Sequence, residues 1–191
     1  MGDNIYYGIL LLQQSPEKVD HVRKIIKRHP YFNIIPSIHW KTNLEEAINI
    51  FKVNNIKLKY NIDYLGELAI WGSYINAFIH FLKTDKKYEY FVLLEDDVII
   101  KSNFRQLINN HYILSNYIRR VGASRLGQYL VGSMYRRDYI KTILLFIQKQ
   151  GMIGPIDLQL MKYNYLKPFT LRVVDYNKNI KSERLESLKF R

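Results

Sequence analysis

The sequence predicts an α/β domain: a mostly parallel central sheet with helices on both faces. Two observations carry that expectation. Segments of strand character alternate with segments of helical periodicity along most of the 191 residues, the pattern of strands joined by helices. One short apolar run, Phe91-Val92-Leu93-Leu94, leads straight into Glu95-Asp96-Asp97, as a buried strand does where its carboxyl end opens on solvent.

Each element follows from its own pattern. Tyr6 to Leu12 reads as the first strand. Ser15-Pro16-Glu17 supplies an N-cap and a proline at the first helical position, opening a helix with Val19, Val22, Ile25 and Ile26 on one face. Phe32 to Ile38 is a second strand, at an edge or ending at Pro36. Thr42-Asn43-Leu44-Glu45 reads as a capping box before Ala47, Ile48 and Phe51. Asn54 to Asp63 is a polar loop, and Leu65 to Leu82 carries a helical stripe at Leu68, Trp71, Ile75, Phe78, Ile79 and Leu82. The acidic strand runs from Phe91 to Val98. Phe104, Leu107, Ile108, Leu114 and Ile118 suggest a further helix. Tyr129 to Met134 is a strand, followed by a helix over Ile140, Ile143, Leu144 and Ile147 with Gly151 as its C′ residue. Phe169 to Val174 is the last strand. Residues 1–176 form a single domain, and 177–191 form a charged tail, loose or acting as a lid.

Composition bounds the function classes. A hydrophobic content of 48% with 16 tyrosines argues for a folded core. The absence of cysteine excludes disulfides and thiolate metal sites. No basic-then-apolar leader and no long apolar stretch is found, so a cytoplasmic protein without a transmembrane segment is expected, with peripheral membrane contact left open. A net charge of +12 favours anionic partners. The positive residues are scattered, with Arg119-Arg120 and Arg136-Arg137 as close pairs, so no specific nucleic-acid partner is expected.

The three acids carry the chemistry. Adjacent carboxylates repel one another and cannot be buried unpaired, which places them at the strand's mouth. On a continuing strand Glu95 and Asp97 would share a face, with Asp96 opposite. Hard oxygen ligands at that spacing suit Mg²⁺ or Mn²⁺, which complete their shells with phosphates. The plainer reading is a solvated acidic loop at a sheet edge. The five histidines have no metal-ligand spacing among them. Trp40 and Trp71 are candidates for a sugar-stacking platform, with core packing the alternative for Trp71.

The order of motifs adds to this. Leu65-Gly66-Glu67-Leu68-Ala69-Ile70-Trp71-Gly72-Ser73-Tyr74 precedes Leu94-Glu95-Asp96-Asp97, then come Tyr129-Leu130-Val131-Gly132-Ser133-Met134-Tyr135-Arg136-Arg137 and Pro155-Ile156-Asp157. This set, spanning roughly Ile9 to Asp157, resembles the family 25 glycosyltransferases, which include lipooligosaccharide-synthesis enzymes and collagen hydroxylysine galactosyltransferases. The family's Ser-His pair falls on Ser73-Tyr74, so the histidine is absent, and the opening motif at Leu11 to Lys18 lacks its early basic residues. The resemblance implies a GT-A-like nucleotide-binding fold and Mn²⁺- or Mg²⁺-dependent transfer of a hexose, from UDP-galactose or UDP-glucose, to a glycan or protein hydroxyl, with inversion. It implies Asp97 as primary metal ligand, Glu95 completing the site or holding the ribose, and Asp96 as a third metal candidate. Asp157 becomes the candidate base, or else an N-cap. Glu67 faces donor or acceptor, or else only the helix dipole. Lys18 touches the diphosphate, or else is a solvated helix lysine, and Ser73 lies on the donor side. Two other classes stay open. One is a non-catalytic relative that kept the fold, favoured by the missing Ser-His pair. The other is a metal-dependent nucleic-acid protein, which needs a lysine such as Lys101 beside the acids.

Overall fold

The computed structural model describes residues 4–58, 65–110, 120–127, 131–163, 165 and 173–180. A five-stranded sheet is built from β1 (Ile5–Leu11), β2 (Asn33–Pro36), β3 (Tyr90–Leu94), β5 (Ala123–Arg125) and β6 (Gly132–Arg136). β4 (Val98–Ile100) and β7 (Val174–Tyr176) pair separately as an antiparallel ribbon. The order in the sheet is β2-β1-β3-β6-β5. β2, β1 and β3 are parallel, β6 runs against β3, and β5 runs against β6. Four strands therefore point one way and β6 alone opposes them.

Helices cover both faces, as expected, and β3 shows why its sequence has no polar alternation. Phe91 and Leu93 enter one core while Tyr90, Val92 and Leu94 enter the other, the condition of a strand buried on both sides. The first core is closed by α2 (Leu44–Val53), α3 (Leu65–Lys83), α5 (Arg137–Gln150) and α6 (Ile156–Lys162). The second holds Val22 and Ile25 of α1 (Pro16–Arg28), Phe104 and Ile108 of α4 (Phe104–Asn110), and Val98 and Val174 of the ribbon. Burying one such aliphatic or aromatic side chain stabilises by about 1.5–3 kcal/mol. α2 and α3 approach closely because Gly72 has no side chain: a Cβ there would lie 2.7 Å from Ala47 Cβ.

Several local expectations are corrected. Glu95, Asp96 and Asp97 do not continue a strand; they form a turn between β3 and β4, so strand alternation does not orient them. The capping box does not form. Asn43 is the N-cap of α2 without a side-chain bond, and Thr42 Oγ1 instead donates to Asn43 Oδ1 at 2.6 Å. Ser15 caps α1 by position only, while Pro16 takes the first turn as expected. Gly151 ends α5 at φ 76°, and its N–H bonds to Ile147 O. The strand expected from Tyr129 is observed as Gly132–Arg136, and the last strand as Val174–Tyr176. Residues 128–130, 166–172 and 111–119, with Leu114 and Ile118, lie outside the described residues. Within the expected tail, Asn177 N–H donates to Asp97 O at 2.7 Å and Ile180 is buried; residues 181–191 lie outside the description.

The topology fixes where a ligand can enter. From β1 the chain first builds β2 on one side and then returns through α2 and α3 to β3 on the other. A crevice opens outside the carboxyl ends of two such strands.

Candidate active site

At that crevice lies an open cleft. Leu10 and Leu12 enter from the end of β1, Lys18 from α1, and Ser37, Ile38 and Trp40 from the segment after β2. Gly66, Ala69, Ile70, Ser73 and Tyr74 present one side of α3, and Glu95, Asp96 and Asp97 form the turn beneath.

The three acids have three different environments. Asp96 is locked: its Oδ1 lies 2.9 Å from Lys18 Nζ and its Oδ2 accepts the Leu12 N–H at 2.8 Å, with both side chains buried. Glu95 is partly exposed and its Oε1 accepts the Tyr74 hydroxyl at 2.8 Å. Asp97 is 6% exposed, and its buried Oδ1 has no hydrogen-bond partner among the described residues. Burial pushes the Asp97 carboxyl up to about 6, with Asp96 adding to the rise and Lys18 opposing it. Burial also drives Glu95 well up, helped by the Asp97 charge and opposed by the Tyr74 hydrogen bond. Tyr74 in turn is held far above the usual phenol range, first by burial and then by Glu95.

Of the residues expected from sequence, Lys18, Ser73, Glu95, Asp96 and Asp97 meet in the cleft. Lys18 is not a solvated helix lysine; it is buried in the pair with Asp96. Ser73 is engaged by the fold. It donates to Ala69 O at 2.8 Å and accepts the Ile38 N–H at 2.8 Å, so Ser37 Oγ, 3.0 Å away, supplies the proton of their contact. Glu67 is buried on the first turn of α3 but does not line the cleft. Asp157 does not line it either, and it is not an N-cap: Pro155 holds that position and Asp157 sits in the first turn of α6. Trp71 is core, with no exposure, and its indole N–H bonds to Gly154 O at 2.8 Å. Trp40 alone of the two tryptophans lines the cleft. Lys101 lies exposed beyond β4.

Sequence reasoning missed Tyr74, Ser37 and the Leu12 N–H. A phenol on the inner side of a helix, next to a serine and opposite the acid-tipped strand, was the available signal for Tyr74. The backbone donor at Leu12 carries no sequence signal.

The donor set bears on a metal. Among the described residues no three or more His, Cys, Asp or Glu side chains converge as a cage. Asp97, with its orphaned oxygen, and Glu95 instead offer the one or two hard carboxylates that Mg²⁺ or Mn²⁺ take beside phosphate and water. That geometry fits an ion brought or completed by a phosphorylated ligand. Asp96 already holds Lys18 and the Leu12 N–H, one on each oxygen.

No protein-family model matches the chain, and no curated protein matches it. Among solved structures, one similar chain is a glycosyltransferase involved in the glycosylation of the major capsid of PBCV-1, with 12% identity over 97% of each chain and a TM-score of 0.43. At that level of similarity the neighbour's activity does not transfer to this chain. Among the described residues no helix is long and apolar enough to cross a membrane.

Proposed function

We propose that the protein is a glycosyltransferase that takes a nucleotide diphosphate sugar into the β1–β3 crevice and passes the hexose to an acceptor hydroxyl. The observation that carries this is Asp97: a buried carboxylate oxygen without a hydrogen-bond partner among the described residues, at the mouth of the central parallel strands, in an open cleft. A fold bears such a cost where a ligand supplies the missing contact. The ordered motifs that resemble family 25 favour a UDP-hexose and inversion.

The roles divide by environment. Asp97 with Glu95 would hold Mn²⁺ or Mg²⁺, which supplies neutralising charge for the leaving diphosphate. Tyr74 fixes the Glu95 carboxylate through its hydroxyl. The Lys18–Asp96 pair anchors the turn to α1 and β1, and Trp40 offers an apolar ring to a sugar or base. Asp157 keeps its place as candidate base on the resemblance alone.

A thermal-shift panel tests the proposal: UDP-, GDP- and CMP-sugars, each with Mn²⁺, Mg²⁺ or EDTA, on wild type and Asp97→Ala. The expected outcome is a cation-dependent rise in melting temperature with one UDP-hexose, lost in the variant. For Asp157→Asn, a transfer rate close to wild type would remove that residue from the chemistry. The second reading, a non-catalytic relative, is favoured by Tyr74 standing where the family has histidine; absence of any shift across the panel would select it.

A further inference from the structure

A second hollow lies between α1 and β4, and it shares no lining residue with the cleft. One face of α1 supplies His21, Lys24, Ile25 and Arg28, residues three or four apart, and His29 ends that helix. The other wall is β4, from Val98 to Ile100, fastened to α1 where His21 Nε2 donates to Val98 O at 2.7 Å. Lys24 and Arg28 are exposed and form no ion pair among the described residues. No carboxylate among those residues lines the hollow. Asp20 pairs with Arg23 away from it, and Asp175 stands opposite Ile99 on β7 without entering it.

His29 adds a directed donor. The ring is 6% exposed, and its Nδ1 lies 3.0 Å from the Tyr31 hydroxyl. The Tyr31 oxygen accepts the Arg105 N–H, so its own hydrogen goes to His29 Nδ1. Burial pushes that phenol up to about 12 and holds the His29 imidazole below its usual value, with Arg28 adding to the drop. A neutral ring whose Nδ1 accepts carries its proton on Nε2, and Nε2 has no partner among the described residues. Compensation of the helix dipole accounts for basic residues in the last turn of α1, where Lys27 and Arg28 stand. It does not account for a nearly buried imidazole donor at a hollow from which acids are absent. That dipole places about half a negative charge at this end, against the two whole positive charges of Lys24 and Arg28.

We propose that this hollow binds a phosphate monoester, with the Arg28 fork and the Lys24 ammonium on its charge and His29 Nε2–H on a remaining oxygen. An arginine fork matches two phosphate oxygens at once, and bonds of this kind to an ionised acceptor are the strong ones. Ile99, 47% exposed, offers an apolar contact to whatever carries the phosphate. The carrier is a soluble phosphorylated compound or a lipid headgroup, which present the same group to these three side chains. Binding here does not depend on glycosyl transfer in the cleft.

Inorganic phosphate, titrated at constant ionic strength, tests this by melting temperature and by nitrogen-edited proton spectra of the histidine rings. Phosphate is expected to raise the wild-type melting temperature. It should also move the His29 Nε2 signal and leave that of His80, which Tyr6 holds on the other face of the sheet. The double variant Lys24→Met/Arg28→Met should bind phosphate about tenfold more weakly or worse. Arg23→Met/Lys27→Met removes the same two charges outside the hollow and should change binding less than about threefold. All four side chains are exposed, so both variants are expected to fold. Equal losses in the two variants overturn the proposal, because net charge alone then attracts phosphate. A response that survives Lys24→Met/Arg28→Met intact, or a His29 signal that does not move, overturns it as well. Vesicles of phosphatidylcholine with phosphatidic acid, whose headgroup is a phosphate monoester, distinguish the carriers. Vesicle binding lost in Lys24→Met/Arg28→Met and kept in Arg23→Met/Lys27→Met supports the lipid headgroup. No vesicle binding, with the phosphate response intact, supports a soluble phosphorylated ligand.

Discussion

Asp97 shows what one buried carboxylate costs and what would relieve it. Its Oδ1 is buried without a donor among the described residues, and burial moves its pKa from 3.8 to about 6. Between those values the native state holds a proton that the unfolded chain has released, so stability declines as pH rises through the window, and the full cost is present above it. A shift of about two units corresponds to on the order of 3 kcal/mol. Asp97→Asn should therefore withstand more urea than wild type at about pH 7.5, with the difference closing toward about pH 4. Urea midpoints across that range check it, and a difference independent of pH would contradict it. Mn²⁺ favours the charged form, so it should protect wild type more at about pH 7.5 than at about pH 5. Glu95 responds to the Asp97 charge, so the observed profile belongs to the pair. The acids themselves were visible in the sequence because they end an unbroken apolar strand. Their separate fates were not, since each depends on a partner distant in the chain: Lys18 and Leu12 for Asp96, Tyr74 for Glu95.

Between elements, the Lys18–Asp96 pair joins α1 to the turn after β3, while Asp96 also accepts from the end of β1. Three elements thus meet at one carboxylate, and the site's floor depends on it. Lys18→Met leaves Asp96 buried and charged with the Leu12 N–H as its one remaining partner among the described residues, a loss of about 3–5 kcal/mol for a buried pair broken on one side. Adding Asp96→Asn keeps an acceptor for Leu12 but removes the charge, so the double variant should recover much of that loss. Chemical denaturation of the four-member cycle measures the coupling; additive losses would mean the pair contributes nothing beyond its separate residues. The same scale explains what the sequence disclosed. α1, α3 and the core of β3 were legible because apolar periodicity or an unbroken apolar run marks them. β5, with only Ala123–Arg125, was missed because three residues give no period. β4 was merged with β3 because nothing in Val98-Ile99-Ile100 announces a change of sheet. The capping box misled because Thr42 found Asn43 and His39 instead of the backbone.

For the whole molecule, the net charge of +12 and the scatter of its cations act together. Charges spread over the surface raise the local concentration of any anion without defining a groove for a polymer, whereas the cleft supplies a defined place for a small one. Salt separates these effects, because at about 0.15 M the Debye length shrinks to about 8 Å and only near charges still count. On the proposed function, association of UDP with Mn²⁺, measured by stopped flow, should slow several-fold between about 0.02 and 0.3 M salt, since long-range steering is lost, while its dissociation rate should change little because the proposed cation-bridged contacts at Asp97 and Glu95 are short-range. A duplex DNA probe should show only weak binding that collapses over the same range without sequence preference, as for phosphate attraction alone. Sequence-selective DNA binding that survives at about 0.3 M salt would instead make the basic surface a nucleic-acid interface and the acids its metal centre. On the proposed function the first outcome is expected: Lys18 at the acids is paired with Asp96, Lys101 stands beyond β4, and the cleft walls of Leu10, Leu12, Ile38, Trp40 and Ile70 are apolar around one acidic floor, which repels a bare polyphosphate backbone.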